Sequence, residues 1–237
     1  MAVKQIVPGL WEISLGFVHA FLLDPGDDLI LIDTGPPGSA ERILEAVRGL
    51  GRDASEVRRI VVTHCHSDHS GSLAELKRQM GAAASMHPID AALVREGKSI
   101  RPMRPAPGLI NALVCRFLLP SVPAEIEPAT IDHEIHDGEA LPGGLQAIHA
   151  PGHCAGQIAL LWERHGGVLI AADAAANAFG LALSPLYEDV DGGRRSLARL
   201  AELSFEVACF GHGHPILRGA ADAFRRKWPP RAGSRRG

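Results

Sequence analysis

Apolar and polar positions alternate in short runs along the first thirty residues, and turn formers separate the runs. Residues 3–7, 10–15, 19–24 and 29–33 read as successive strands, with Pro8-Gly9, Gly16 and Pro25-Gly26-Asp27-Asp28 as the turns between them. That spacing predicts an antiparallel meander. The period then changes. Ile43, Leu44, Val47 and Leu50 fall on one face of a helix over residues 40–50, and Ser39 stands where a cap is needed. A strand over 59–62, a helix over roughly 70–80, a strand over 83–87 and a helix after Pro88 continue the pattern. Strand and helix in alternation indicate an α/β protein.

The rhythm breaks between Gly97 and Pro128, a stretch punctuated by Pro102, Pro105, Pro107, Pro120, Pro123 and Pro128. Within it, residues 109–119 are apolar nearly all round, which predicts a helix that is buried or covers something. A pocket wall and a contact in a homodimer are both compatible with that composition. From Ile131 strands return, over 131–136, 145–149, 158–162 and 168–172. A helix over 193–203, a strand over 205–210 and a helix over 220–227 complete the chain. The two halves have similar content, which predicts two packed sheets with helices outside. The expected organisation is one domain over 1–228 with a Pro-rich helical insert at about 97–128. A Pro, Gly and Arg-rich tail over 229–237 reads as disordered.

Composition narrows the classes. At 237 residues and 46% hydrophobic, the chain is long enough for a large core within one domain. A net charge of -3 gives no electrostatic footprint for nucleic acid. No apolar run approaches the ~20 residues that span a bilayer, and residues 1–9 lack the basic and apolar regions of a signal peptide. Cys65, Cys115, Cys154 and Cys209 have no paired spacing, so free thiols in a reducing cytoplasm are expected.

The chemistry concentrates in Thr63-His64-Cys65-His66-Ser67-Asp68-His69, after the apolar run Ile60-Val61-Val62. His64 and His66 are two apart, so an extended backbone points them the same way. Asp68 and His69 follow where the chain turns into a helix, aimed at a second point nearby. Imidazole with carboxylate suits zinc and other borderline divalent ions. Three later strands end on residues of the same kind: 145–152 delivers His153, 168–172 delivers Asp173, and 205–211 delivers His212. Strand tips are rigid and meet at one sheet edge, where α/β proteins place ligands.

The His-x-His-x-Asp-His stretch resembles the signature of the metallo-β-lactamase-fold hydrolases, and the later tips follow in that family's order. The resemblance implies a four-layer αβ/βα sandwich of two mixed β-sheets flanked by helices, with a metal site at one edge between the sheets. It implies two divalent metal ions, zinc by default, with manganese or iron also compatible. By motif, His64, His66 and His153 match the first metal site, Asp68, His69 and His212 the second, and Asp173 the aspartate bridging both. Asp33, in a family-like Leu-Ile-Asp-Thr-Gly turn, reads either as a carboxylate supporting the site or as a turn residue holding its own backbone.

The implied function is a binuclear hydrolase that attacks an ester, lactone or thioester of a small acyl substrate with a metal-bridging hydroxide. Asp68 is the expected catalytic carboxylate. His214, two residues beyond His212, is a candidate proton carrier. Aspartate at 173 resembles glyoxalase II-like thioesterases, lactonases and phosphodiesterases, whereas true metallo-β-lactamases carry cysteine or serine there. A phosphodiesterase on the same metals, a mononuclear iron oxygenase of the persulfide-oxidising kind and a non-catalytic metal-binding protein remain as alternatives. Departures limit the substrate assignment. Residues 174–179 are not the polar run of glyoxalase II, Cys154 stands where many relatives have threonine, and Gln157 where they have histidine or serine. His19, His87, His133, His136 and His165 read as structural or solvated, and His149 as a packing residue. Cys65 and Cys209 read as small buried hydrophobes.

Overall fold

The computed structural model describes residues 3–118 and 122–230. Four short strands come first: β1 (Val3–Val7), β2 (Leu10–Ser14), β3 (His19–Leu23) and β4 (Leu29–Ile32). They pair antiparallel in sequence order, as the alternation predicts. Because side chains alternate across a strand, Leu22, Leu29 and Leu31 join one apolar cluster while Phe21, Leu23, Ile30 and Ile32 join another.

Helix α1 (Ala40–Gly49) buries Ile43, Leu44 and Val47. Ser39 does not cap it. Its own backbone is already helical (φ -84°, ψ -9°), whereas a capping residue is extended. Its N–H donates to Ser72 Oγ, at 2.9 Å. Strand β5 (Val57–Val61) leads through a loop to the short α2 (Ser67–Ser70), then α3 (Leu73–Met80), β6 (Ala83–Met86) and α4 (Pro88–Arg95). β4, β5 and β6 are parallel neighbours.

The Pro-rich segment is closed at its base. Lys98 and Glu125 form an antiparallel bridge, and the Ser99 N–H donates to Ala124 O while the Ile126 N–H donates to Gly97 O. Between these ties lie β7 (Arg104–Pro105) and the predicted helix, α5 (Leu109–Leu118). The expected burial of this helix is not found: Leu109 is 78% exposed and Phe117 66%. The helix rests on β7, a strand outside both large sheets, so most of its surface has no core to meet.

β8 (His133–Glu134) completes a seven-stranded sheet of order β1-β2-β3-β4-β5-β6-β8. The second half supplies β9 (Ala140–Leu141), β10 (Leu145–His149), β11 (Ile158–Trp162) and β12 (Val168–Ile170). After these come β13 (Leu186–Tyr187), α6 (Val190–Leu200), β14 (Val207–Cys209) and α7 (Ala220–Lys227). The second sheet runs β14-β12-β11-β10-β9, and β13 pairs with β7 in a separate ribbon. Helix α6 begins earlier than its periodicity suggests. Asp189 caps it through the Asp191 N–H, and Gly193 is admitted inside it because the Tyr187 ring leaves no room for a Cβ.

Three apolar clusters separate four layers. Phe21, Ile30 and Ile32 of the first sheet meet Leu160, Trp162 and Ile170 of the second. Ile43, Leu44, Leu76 and Val94 cover the outer face of the first sheet, and Leu197, Leu200 and Phe224 that of the second. The fold is therefore the αβ/βα sandwich of two mixed sheets. Among the described residues no helix is long and apolar enough to cross a membrane. The expected tail lies, beyond Pro230, outside the described residues, as does Leu119 of the predicted helix.

Candidate metal centre

The carboxyl ends of β4, β5, β12 and β14 meet at one edge of the sandwich, and each carries a polar residue beyond its last apolar position. Past β5 the chain is still extended at His66, which then serves as the N-terminal boundary of α2 (φ -57°, ψ 145°). His64 and His66 therefore point together, and the first turn of α2 re-aims Asp68 and His69. Asp173 follows Ala172, whose φ of 46° is unusual for a residue with a Cβ. Gly211 precedes His212, and a Cβ there would lie 2.1 Å from Asp173 Oδ1 and 2.6 Å from the His69 ring. Only glycine allows β14 to approach so closely.

All seven residues expected from the sequence come together. The His66 Nδ1 and His153 Nε2 atoms are 2.9 Å apart. The His64 ring lies 4.8 Å from that of His66, 5.0 Å from His153 and 4.1 Å from His69, between centroids. Asp173 spans the group: Oδ1 is 3.4 Å from His69 Nε2, and Oδ2 is 3.5 Å from His153 Nε2 and 3.2 Å from His212 Nε2. Asp68 Oδ2 is 3.3 Å from His212 Nε2 and 3.8 Å from His69 Nε2.

Each of the five histidines has one ring nitrogen tied outward and the other turned inward. His64 Nδ1 faces Thr63 Oγ1 at 3.1 Å, and that hydroxyl already donates to Asp33 Oδ2, so it accepts from the imidazole. His69 Nδ1–H donates to Asp33 Oδ2 at 2.8 Å. His153 Nδ1–H donates to Leu186 O at 2.7 Å, and His212 Nδ1–H to Phe17 O at 2.8 Å. His66 is turned the other way round, with Nε2 facing Cys154 Sγ at 3.2 Å. Such outward hydrogen bonds fix the tautomer and leave a lone pair at the inward nitrogen.

The inward atoms are short of partners. His64 Nε2, His69 Nε2 and Asp173 Oδ1 are buried and make no hydrogen bond, a state that costs about 1–3 kcal/mol per group when nothing compensates it. Two lone pairs facing each other at 2.9 Å, at His66 and His153, repel. A cation among these atoms removes both difficulties, and nitrogen with carboxylate oxygen is a donor set suited to a divalent ion.

The electrostatics divides the cluster in two. Burial holds His64, His66 and His153 below their usual range, and neighbouring histidines add to the effect at His64 and His66; His66 is pushed down to about 3. At His69 burial acts the same way, but Asp173, Asp68 and Asp33 overcome it and raise the group to about 9. Asp173 and Asp68 likewise hold His212 well above its usual value. Burial opposes ionisation of Asp68 and Asp173, yet the adjacent His69 and His212 keep both carboxyls below the usual range. The half containing the carboxylates demands positive charge.

Asp33 makes the contacts of the first of its two readings. It accepts from the Thr63 N–H and hydroxyl as well as from His69, joining the motif to the β4 turn. His214 is exposed, its N–H donates to Asn177 O, and its charge acts on Glu12 and His19. His87 and His149 stack at 4.2 Å. Phe17, Leu186 and Cys154, which hold three of the histidines, were not singled out by sequence reasoning. Two of them act through a backbone carbonyl, which any residue supplies. Cys154 was visible only as a departure from the family pattern.

The description of the metallo-beta-lactamase superfamily matches residues 13–212. The uncharacterized protein YobT of Bacillus subtilis is 33% identical over 171 residues, covering 70% of this chain and 66% of its own. A hydroxyacylglutathione hydrolase of Halorhodospira halophila is 28% identical over 203 residues, 83% of this chain and 57% of that one. This chain therefore spans a little under two thirds of those relatives. Among solved structures, a metallo-beta-lactamase of Cronobacter sakazakii with a HARLDQ motif superposes with a TM-score of 0.70 at 26% identity, over 90% of this chain and 78% of that one.

Proposed function

The chain belongs to the metallo-beta-lactamase superfamily, and on that premise we propose that it is a binuclear metal-dependent hydrolase of a small ester, lactone or thioester. The observation that carries this reading is the set of five histidines tied outward by one ring nitrogen and converging by the other on two carboxylates. His64, His66 and His153 would hold one ion, Asp68, His69 and His212 a second, and Asp173 would serve both. Zinc fits the donors, and manganese or iron is compatible. Two divalent ions held there supply a water acidic enough to ionise near neutrality and an electrophilic pull on a carbonyl.

The chain's own groups define the rest. Asp68 would hold the second ion by one carboxylate oxygen and accept a hydrogen bond from the attacking water at the other. Asp33 and Thr63 keep His69 and His64 from rotating. Phe17 lies over His212, its ring stacked 5.8 Å away and largely exposed, so it forms part of the apolar approach to the edge. Aspartate at position 173 favours an ester, lactone or thioester over a dedicated β-lactam activity, and the similarity to a hydroxyacylglutathione hydrolase supports the thioester class. The similarity to a solved metallo-beta-lactamase keeps β-lactam amides as the second reading.

Elemental analysis of protein purified without chelator tests the premise: about two metals per chain are expected. At most one, even after reconstitution, removes the binuclear reading. A panel of acyl esters, lactones, thioesters, a chromogenic β-lactam and bis-nitrophenyl phosphate tests the substrate class. Faster turnover of the phosphodiester indicates a phosphodiesterase. Bound iron with oxygen consumption indicates an oxygenase.

A further inference from the structure

His66 differs from the other four histidines in the nitrogen it turns inward, and in being held by sulfur. The four ligand-capable atoms of His64, His66, His153 and Cys154 lie within 4.8 Å of one another, so the thiol has two possible roles: a fourth donor to the ion, or an outer support for His66. The imidazole ring decides between them. Its two nitrogens point away from each other across the ring. Nδ1 faces His153 Nε2 at 2.9 Å, on the side where the other inward atoms converge. Nε2 faces Cys154 Sγ at 3.2 Å. The sulfur therefore sits behind His66, with the ring between it and the ion's place.

The sulfur is itself held. Cys154 and Cys65 are both fully buried, with their sulfurs 3.9 Å apart. Asp90, also fully buried, accepts from the Cys65 N–H at 3.0 Å and from the Gly156 N–H at 3.1 Å, clamping the two cysteine-bearing turns together. Gly156 approaches so closely that a Cβ there would lie 2.6 Å from the Asp90 carboxyl carbon. Arg101 locks the clamp by donating to Asp90 Oδ1 and Glu188 Oε1. Glu188 in turn accepts from the Ala155 N–H. A thiol fixed by this many contacts is in a position to direct the ring that it touches.

We propose that Cys154, backed by Cys65 and the Asp90 clamp, is a positioning residue that accepts a hydrogen bond from His66 Nε2–H and so commits Nδ1 of that histidine to the metal. The proposal rests on the metal-centre reading above. Outer partners of this kind are worth about 10–100-fold in metal affinity. A thiol is a weak acceptor, but here it is the partner that defines which way the ring faces.

The test uses the full chain, zinc and cobalt(II). In a chelator competition, Cys154→Ala is expected to bind zinc about 10–100-fold more weakly than the parent. Cys154→Ser, whose hydroxyl accepts from the same N–H, should recover most of that loss. Unchanged affinity in a folded Cys154→Ala overturns the proposal. The cobalt-loaded parent should show no thiolate-to-cobalt charge-transfer band in the near ultraviolet. Such a band, lost in Cys154→Ser, makes the sulfur a donor to the ion and overturns the proposal as well. Nitrogen-15 spectra of the zinc-loaded parent need no variant, so they decide even if the substitutions prevent folding. They should show His66 alone with Nε2 protonated and Nδ1 metal-bound; the reverse pattern overturns the proposal. A parent that takes up two ions but fails these checks loses only the role of Cys154. A parent that binds no metal loses the metal centre and this proposal with it.

Discussion

At the scale of single residues, the site depends as much on what stands behind the histidines as on the histidines themselves. Asp33 accepts from three donors, two on Thr63 and one on His69. Asn in its place tolerates the same backbone, φ 62°, but presents an amide N–H₂ where a carboxylate oxygen accepted. Asp33→Asn should therefore fold and lose about 10–100-fold in metal affinity. Chelator competition alongside circular dichroism measures both, and an affinity equal to the parent's would show that Asp33 serves only its own turn. The seven inward donors were legible in the sequence because they are bunched in one motif or stand at the ends of apolar runs. Their supports were less legible. Leu186 and Phe17 contribute only carbonyl oxygens, and the partner of Cys154 is 88 residues away in sequence.

At the scale of elements, α4 and α5 invite direct tests. His87 caps α4, accepting from the Ile89 N–H, and stacks on His149. Burial, and then the neighbouring His149, pushes it down to about 4 from an ordinary 6.5. The unfolded chain thus takes up this proton first as the medium is acidified. Its contribution is fully present above about 6.5 and is lost as the pH falls through about 4. His87→Asn keeps a capping side chain and removes the titration. Urea unfolding of the variant should lose less stability between pH 7.5 and 4.5 than the parent does, and equal losses would acquit His87. Helix α5 carries Leu113 and Phe117 exposed, and β7 joins it to β13, whose Leu186 holds His153. If it forms an acyl wall, Leu113→Gln raises the Michaelis constant for long acyl esters severalfold more than for acetyl esters, with the oligomeric state unchanged. Dissociation of a dimer with chain-length preference intact would assign the helix to an interface between copies. The periodicity of residues 109–119 foretold a helix correctly, but periodicity reports which residues are apolar and not what is near them. Ser39 misled for a related reason: cap preference is local, and the Ser39 backbone is already helical and tied to Ser72, 33 residues away.

At the scale of the whole molecule, the meander and the later alternation made the α/β class readable, while the order of strands within each sheet was not. Order is set by long-range pairing, such as β12 beside β14, which leaves no mark on local pattern. The seven donors are shared between the two halves: His64, His66, Asp68 and His69 stand beyond β5 of the first sheet, and His153, Asp173 and His212 belong to the second half. Two ions shared among them, with Asp173 serving both, would fasten one half of the sandwich to the other. Stripping the metal with chelator should therefore lower the thermal midpoint, and restoring it should raise stability by RT ln(1 + [L]/Kd). A chelated protein with an unchanged midpoint would mean that the halves are held by their apolar cluster alone.

That division of the donors also sets an order of events. His212 is the last of them in sequence, so an emerging chain has no complete set of donors until it has been synthesised past that residue. A metal held by donors from both halves is then expected to act as a latch on halves that have already met. Interactions formed after the folding barrier slow unfolding and leave the folding rate alone. Stopped-flow refolding should accordingly run at the same rate with and without zinc, while unfolding slows in proportion to the stability gained. Refolding accelerated by zinc would place the metal at the start of assembly instead.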